Sequence, residues 1–342
     1  EKRLHQDGKI HIKVNGREID IRVSTYASVF GETVVMRLLD RERGILPLGE
    51  VGFQPRALLA LQESVLAAAS GLVLTVGPTG SGKTTTLYSF IQHANDPSEK
   101  VITCEDPVEY VIDGIIQCSV NNKTGPTFAD SLRAIVRQDP DTIVVGEIRD
   151  PATAHLAAEA ALTGHKVYST FHTEDAVGAF VRFTEMGVEP FLVASTLSAV
   201  IAQRLVRRLC PECRAPHRPT LAELRVLHLD RESLTNVSFM RATGCAHCSN
   251  TGYKGRIAIH EVLVPDQAFR EAVLNRASSG ALRELARARP EFLTMQEDGI
   301  LKALRGVTSL AEVIENAPRD LSSRPLVDLQ RIARGRAQGV AA

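Results

Sequence analysis

Read as apolar and polar positions, the chain changes period several times. Ile10, Ile12 and Val14 alternate with polar neighbours, Asn15-Gly16 is a hairpin-turn dipeptide, and Ile19, Ile21 and Val23 alternate again. A third strand, Thr33 to Leu39, is expected after a turn near Gly31. Three strands without a helix partner read as the end of a small α+β domain. The stretch from Asp40 to Gly52, with its charges, Pro47 and three glycines, reads as a linker. Pro55 to Ser70 is helical in pattern. Leu72-Val73-Leu74-Thr75-Val76 is then an apolar run suited to a buried strand, and Thr85 to Ile91 has helical spacing. Val101 to Cys104, Thr142 to Val145 and Lys166 to Thr170 read as further strands, with a helix from Phe128 to Gln138 among them. This alternation places the central part in the α/β class. Ala268 to Ala288 and Ser309 to Asn316 read as helices, and Pro318 to Ala342 as a loosely attached helix and tail.

At 342 residues the chain has room for two or more domains, each with its own core. With 44% hydrophobic and 23% charged residues its composition is that of a soluble globular protein. Its 40 basic and 40 acidic residues cancel, so attraction to nucleic acid or an anionic membrane requires a local patch. No run reaches the roughly 20 apolar residues of a membrane span, and no stretch of the given residues reads as a signal peptide. The chain begins with Glu in mid-pattern, which is expected of a chain trimmed at its N-terminus.

Candidate chemistry centres on Gly77-Pro78-Thr79-Gly80-Ser81-Gly82-Lys83-Thr84, followed by Thr85, which matches the phosphate-loop template and has the required strand before it and helix after it. The glycines let backbone N–H groups curl around phosphate oxygens and the helix N-terminus adds positive potential. Lys83 is expected on the β- and γ-phosphates of ATP, and the Thr84 hydroxyl on Mg²⁺. Glu105, Asp106 and Glu109 lie where a strand ends beside this loop. Glu105 or Glu109 would polarise the attacking water, and Asp106 would hold Mg²⁺ through water. The strand Thr142 to Glu147 ends in an acid, but Gly146 stands where an Asp ligand to Mg²⁺ is common, so Glu147 must supply the carboxylate, supported by Arg149-Asp150. Arg133 and Arg137 share one helix face and join the candidate nucleotide contacts. His165 and His172 bracket a strand. Such histidines are more often structural, and His172 is the candidate phosphate sensor. Arg22 and Arg37 sit on strands, where an arginine is ordinarily a solvated edge.

Cys210-Pro-Glu-Cys213 and Cys245-Ala-His-Cys248 read as a closed four-thiolate Zn²⁺ site whose spacer is long enough to need an insertion. Cys104 and Cys118 remain as ordinary thiols. Arg204, Arg207, Arg208, Arg214 and Arg218 form the one dense basic cluster, open to an anionic lipid or a nucleic acid or to local ion pairs. Few aromatics accompany it, which counts against single-strand binding.

The blocks GPTGSGKTTTLY, CEDPVEY, LRAIVRQDPDTIVVGEIRD, ALTGHKVYSTFHT, AQRLVRRLCPEC and RATGCAHCSNTGYKGR occur together in one order. In this the chain resembles the type II/type IV secretion and pilus assembly ATPases over residues 1–316, and most of all their type II secretion branch. The resemblance implies a RecA-like P-loop NTPase domain, preceded by a truncated PAS-like α+β domain and followed by a zinc-binding and helical C-terminal region. The implied divisions are 1–40, a linker 41–54, an ATPase core 55–205, a tetracysteine subdomain 206–258, a helical subdomain 259–317 and a tail 318–342. It further implies a Mg-dependent hexameric ATPase, cytoplasmic and peripheral to the inner membrane, that drives pseudopilus assembly. Arg22 and Arg37, and more weakly Arg3, match the family arginines that reach the phosphates. The domain that docks on the inner-membrane platform is expected to be absent. Pilus assembly shares every motif; Thr84-Thr85-Thr86 and Ile259-His260-Glu261 favour the secretion branch. A zinc-ribbon ATPase acting on nucleic acid through the arginine cluster is the reading from another class.

Overall fold

The computed structural model describes residues 2–40, 45–120, 125–230, 234, 237–289 and 291–334. Its first sheet forms where the period-two pattern places it. β1 (Gln6–Val14), β2 (Arg17–Ser28) and β3 (Gly31–Asp40) pair antiparallel in chain order. Asn15 and Gly16, with φ of 51° and 85°, fill the two-residue turn that sets Val14 opposite Arg17. Alternation puts Ile10, Ile21 and Leu38 on one face and Lys9, Arg22 and Arg37 on the other. The apolar face stays open: Ile10 is 46% and Leu38 67% exposed.

Residues 41–44 of the expected linker lie outside the described residues. From residue 45 the linker packs rather than hangs free, because Leu48 and Val51 are buried and Gln54 donates to Asp298 Oδ1 at 2.6 Å. Then come α1 (Pro55–Leu61), β4 (Gly71–Val76), α2 (Lys83–Ala94), β5 (Val101–Glu105), β6 (Ile116–Ser119), α3 (Phe128–Ile135), β7 (Thr142–Val145), α4 (Pro151–Leu162), β8 (Lys166–Phe171), α5 (Ala176–Glu185), α6 (Pro190–Thr196) and β9 (Leu197–Leu209). A small excursion follows, β10 (Ala215–His217), α7 (Leu221–Val226) and β11 (Phe239–Arg241), before the chain returns as β12 (Tyr253–Leu263). It ends in α8 (Gln267–Leu274), α9 (Ser279–Arg287), α10 (Met295–Leu304), α11 (Leu310–Asn316) and α12 (Leu326–Arg334).

Among the described residues the main sheet has the order β12-β9-β4-β8-β7-β5-β6, parallel throughout except β12 against β9. Every residue of β4, β5, β7 and β8 is buried, as expected of central strands covered on both faces. Leu72, Leu74, Ile143 and Val145 pack toward α3, α4 and α5, while Val73, Val144 and Tyr168 pack with Phe90 and Ile91 of α2. The turns that follow β4, β5, β7 and β8 therefore share one edge of the sheet.

The C-terminal part departs from the pattern in two places. The helix expected over 268–288 is two helices, parted at Arg276 with φ 53°. The tail is not loose over 318–334. Leu326 and Leu329 are buried with residues of α10 and α11, and Arg324 donates to the Phe292 and Arg287 carbonyls, each at 2.6 Å. Arg324 also meets Glu297, which is fully buried, at 3.3 Å. Residues 335–342 of the expected tail lie outside the described residues.

Helix α5 begins at a second buried carboxylate. Asp175 caps it, accepting from Gly178 N at 2.6 Å, and Arg283 of α9 meets the same carboxylate at 2.6 Å. Glu261 of β12 accepts from Ala176 N at 2.8 Å. Burial, with Asp175 and Asp320 nearby and only Arg283 and the Ala176 N–H opposing them, pushes the Glu261 pKa up from 4.5 to about 8. The folded state therefore keeps a proton that the unfolded chain releases above pH 4.5, and stability falls as pH rises toward 8. A Glu261→Gln variant is expected to match the parent at pH 5 and to exceed it by a few kcal/mol, on the order of 2–4, at pH 8.5. Thermal unfolding at the two pH values measures this, and an equal offset at both contradicts it.

Candidate functional site

The phosphate-loop template closes at the end of β4. Gly77 has φ 145°, and a Cβ there would lie 2.5 Å from Gln203 O and 2.7 Å from Ser81 Oγ, so the turn admits no side chain. Lys83, at the first turn of α2, is 9% exposed and donates from Nζ to Gly77 O at 2.7 Å and Pro78 O at 3.0 Å. Burial lowers its pKa and Glu147 works against that. Gln203 of β9 braces the loop, donating to Ser81 O at 2.8 Å and accepting from Thr86 Oγ1 at 2.8 Å. A braced loop, a helix N-terminus and a buried ammonium together make an anion-binding wall.

That wall bounds a cleft of about 710 Å³. Thr79, Gly80, Gly82, Thr84 and Thr85 line it, as do Arg37, Glu105, Asp106, Glu109, Glu147 and His172. Gly77, Pro78 and Ser81 stand behind the lining.

Glu147 has both carboxylate oxygens engaged at the cleft. One carboxylate oxygen lies 2.6 Å from His172 Nε2, and the other accepts from Arg149 Nε at 2.7 Å. Arg149 also lies 3.6 Å from Asp106. The glycine before it has a steric cause, since a Cβ at Gly146 would sit 3.1 Å from Glu105 Cα and 3.2 Å from Cys104 O. An aspartate there would need the ends of β5 and β7 to give by a few tenths of an ångström.

Glu105 lines the cleft and is also densely hydrogen-bonded. It is 4% exposed and accepts from Thr103 Oγ1 at 2.7 Å, from Gln117 Nε2 at 3.2 Å and from the Tyr88 hydroxyl. Burial and Glu105 raise the Tyr88 pKa, so that hydroxyl keeps its proton, while its oxygen accepts from Glu109 N at 3.1 Å and Tyr110 N at 3.2 Å. Glu105 thus anchors the turn that presents Glu109. Arg22 does not line the cleft. Its two terminal nitrogens donate to the two carboxylate oxygens of Glu109, at 2.9 and 2.7 Å.

Several candidates fall outside the cleft lining. Arg133 pairs with Asp130 at 3.1 Å on α3 and Arg137 lies in the 3-10 turn Val136–Gln138 that follows it, both exposed. His165 precedes β8 and so lies at the opposite sheet edge, its Nδ1 3.0 Å from Ala160 O. Arg3 lies ahead of β1, away from the lining. Sequence reading missed Arg256 and Leu205, which line the cleft from β12 and β9, and the brace Gln203. Their signal lay in the AQRL and YKGR blocks, whose strand period the arginines obscure.

The four cysteines between β9 and β12 converge, with all four sulfurs within 4.8 Å of one another. Cys210–Cys245 and Cys213–Cys248 are 3.9 Å apart and Cys245–Cys248 3.8 Å. A tetrahedron with metal–sulfur bonds of about 2.3 Å has edges of about 3.8 Å, so the dimensions fit. Backbone N–H groups of Gly244 and Gly252 point at Cys213 and Cys248 sulfurs, at 3.3 and 3.1 Å, as thiolates require. Two of the five neighbouring arginines are engaged within the chain. Arg207 forks onto Glu312 at 2.9 and 2.5 Å and lies over Tyr253, and Arg214 donates to Gly306 O at 2.7 Å.

Comparison with known proteins places these features together. The family described as Type II/IV secretion system protein matches residues 1–315. The chain is 46% identical over 320 residues to type II secretion system protein E of Aeromonas hydrophila, spanning 94% of this chain and 63% of that one. It is 46% identical over 314 residues to the type IV pilus assembly ATPase PilB of Thermus thermophilus, covering 92% of this chain and 35% of PilB. Among solved structures, that of the pilus retraction motor PilT with bound ADP aligns with a TM-score of 0.64 at 26% identity, over 90% of this chain and 77% of that one.

Proposed function

The chain belongs to the Type II/IV secretion system protein family, and from that premise we propose that it hydrolyses ATP to power pseudopilus assembly in type II protein secretion. The observation that carries the reading is the pairing of Lys83, buried in its loop, with a Glu147 carboxylate held by His172 and Arg149 across one cleft. The loop N–H groups and Lys83 take the β- and γ-phosphates. Thr84, with Asp106 nearby, would hold Mg²⁺, which supplies neutralising charge to the phosphates when bound. Glu147 orients the attacking water and accepts its proton at a carboxylate oxygen. His172, 2.6 Å away, steadies that carboxylate and registers its movement. Arg37 brings positive charge from the opposite wall. Glu105 acts by holding the turn of Glu109, not on water.

The sheet β1–β3 is read as part of a PAS-like domain and the working form as a homo-hexamer at the cytoplasmic face of the inner membrane, docked on platform proteins. Zn²⁺ on Cys210, Cys213, Cys245 and Cys248 is structural, closing the excursion between β9 and β12. PilB, at the same identity as the secretion relative, supports pilus extension as the second reading. A nucleic-acid-stimulated ATPase is less favoured, because Arg207 and Arg214 are spent on Glu312 and a carbonyl.

Lys83→Ala and Glu147→Gln are each expected to lower phosphate release at least about 100-fold with the fold retained; near-normal turnover in either overturns the assignment. Elemental analysis is expected to find about one zinc per chain, and a Cys210→Ser variant with undiminished zinc contradicts the four-thiolate site.

A further inference from the structure

One rung of the first sheet is built of like charges. Lys9, Arg22 and Arg37 are direct cross-strand partners on β1, β2 and β3, so their side chains leave the same face. Like charges placed opposite one another destabilise a sheet, and a row of three needs an anion in front of it. Glu109 supplies a single carboxylate to the central member. Both contacts of that fork are short, 2.9 and 2.7 Å, and the two side chains are 22% and 19% exposed. The turn that carries Glu109 is held from behind by the Tyr88 hydroxyl on two consecutive N–H groups. The acceptor is fixed on the core, and the rung comes to it. Arg37, one strand over, already lines the cleft, whereas Arg22 is turned to its rim.

A carboxylate and a phosphate present the same paired oxygens to a guanidinium fork. Arg22 and Arg37 side by side share one carboxylate at the cleft, while Asp20 on the same face is engaged by His11, and the positive charge left there is one that a polyphosphate would satisfy better. We propose that Glu109 is an internal competitor of the nucleotide. It holds Arg22 at the rim until a triphosphate in the cleft draws the guanidinium away, so that breaking the Arg22–Glu109 fork is the step that couples nucleotide arrival to movement of the sheet. This rests on the ATPase reading above, and it gives Glu109 a regulating role in place of one on water.

The test uses the full chain and compares the parent with Glu109→Gln, Arg22→Ala and the exchanged pair Arg22→Glu with Glu109→Arg. Removing the carboxylate charge is expected to lower the KM for ATP about 3- to 10-fold, because the competing state is no longer filled. Without nucleotide, small-angle scattering is expected to give a larger radius of gyration for Glu109→Gln than for the parent. The exchanged pair is expected to recover the parental radius without recovering the hydrolysis that Arg22→Ala loses. A Glu109→Gln variant whose KM is unchanged or raised overturns the competition. If parental hydrolysis does not depend on Lys83, the functional reading itself fails. In that case the scattering comparison still reports on docking, and an unchanged radius in Glu109→Gln overturns the fork as the contact that holds the sheet.

Discussion

The site depends on a lysine held in a place that gives it no carboxylate. Lys83 is nearly buried, and the hydrogen bonds that keep it there come from two carbonyls of its own loop. Carbonyl dipoles orient an ammonium but do not neutralise it, and the lowered pKa records that shortfall. Glu147 is close enough to be felt electrostatically but is occupied by His172 and Arg149. The unsatisfied charge is therefore aimed at whatever anion enters the cleft. Gln203 keeps the loop from relaxing around the lysine, which is why a residue on β9 matters to a motif on β4.

The parallel sheet makes this arrangement possible without strain elsewhere. Because β4, β5, β7 and β8 run the same way, four separate stretches of sequence deliver their next residues to one edge. Glu105 ends β5 and Glu147 stands two residues past β7, yet their surroundings differ. Both line the cleft, the first surrounded by donors from Tyr88, Thr103 and Gln117, the second by one imidazole and one guanidinium. Two acids one register step apart, Glu105 beside Gly146 and Glu147 just beyond it, thus stand in different surroundings.

How much of this could be read beforehand follows the range of the interactions involved. The loop, the buried strands, the Asn15-Gly16 hairpin and the cysteine pairs are local patterns, and each stands where its pattern placed it. The α10 helix escaped because Asp298, Lys302 and Glu297 look solvent-facing, whereas they are buried as partners of one another and of the chain. The docked segment after residue 318 escaped because it is fastened by Arg324 onto carbonyls, and a carbonyl has no sequence signature. His165 and His172 are equivalent in sequence, bracketing one strand. Only the direction of β8 decides that the second reaches the cleft and the first does not.

The same reasoning explains why the first sheet presents its charged face to the core and leaves Ile10, Met36 and Leu38 exposed. Had the apolar face docked, burying those side chains at about 25 cal/mol per Å² would have locked the two parts together by many kcal/mol. A part-exposed ion pair is worth roughly 1 kcal/mol or somewhat more when it is a fork, and its geometry is specific while its depth is small. A contact of that kind leaves two arrangements close in free energy, so that a ligand binding one of them better shifts the balance between them. Specific orientation with a shallow well is what a cleft needs if filling it is to move something.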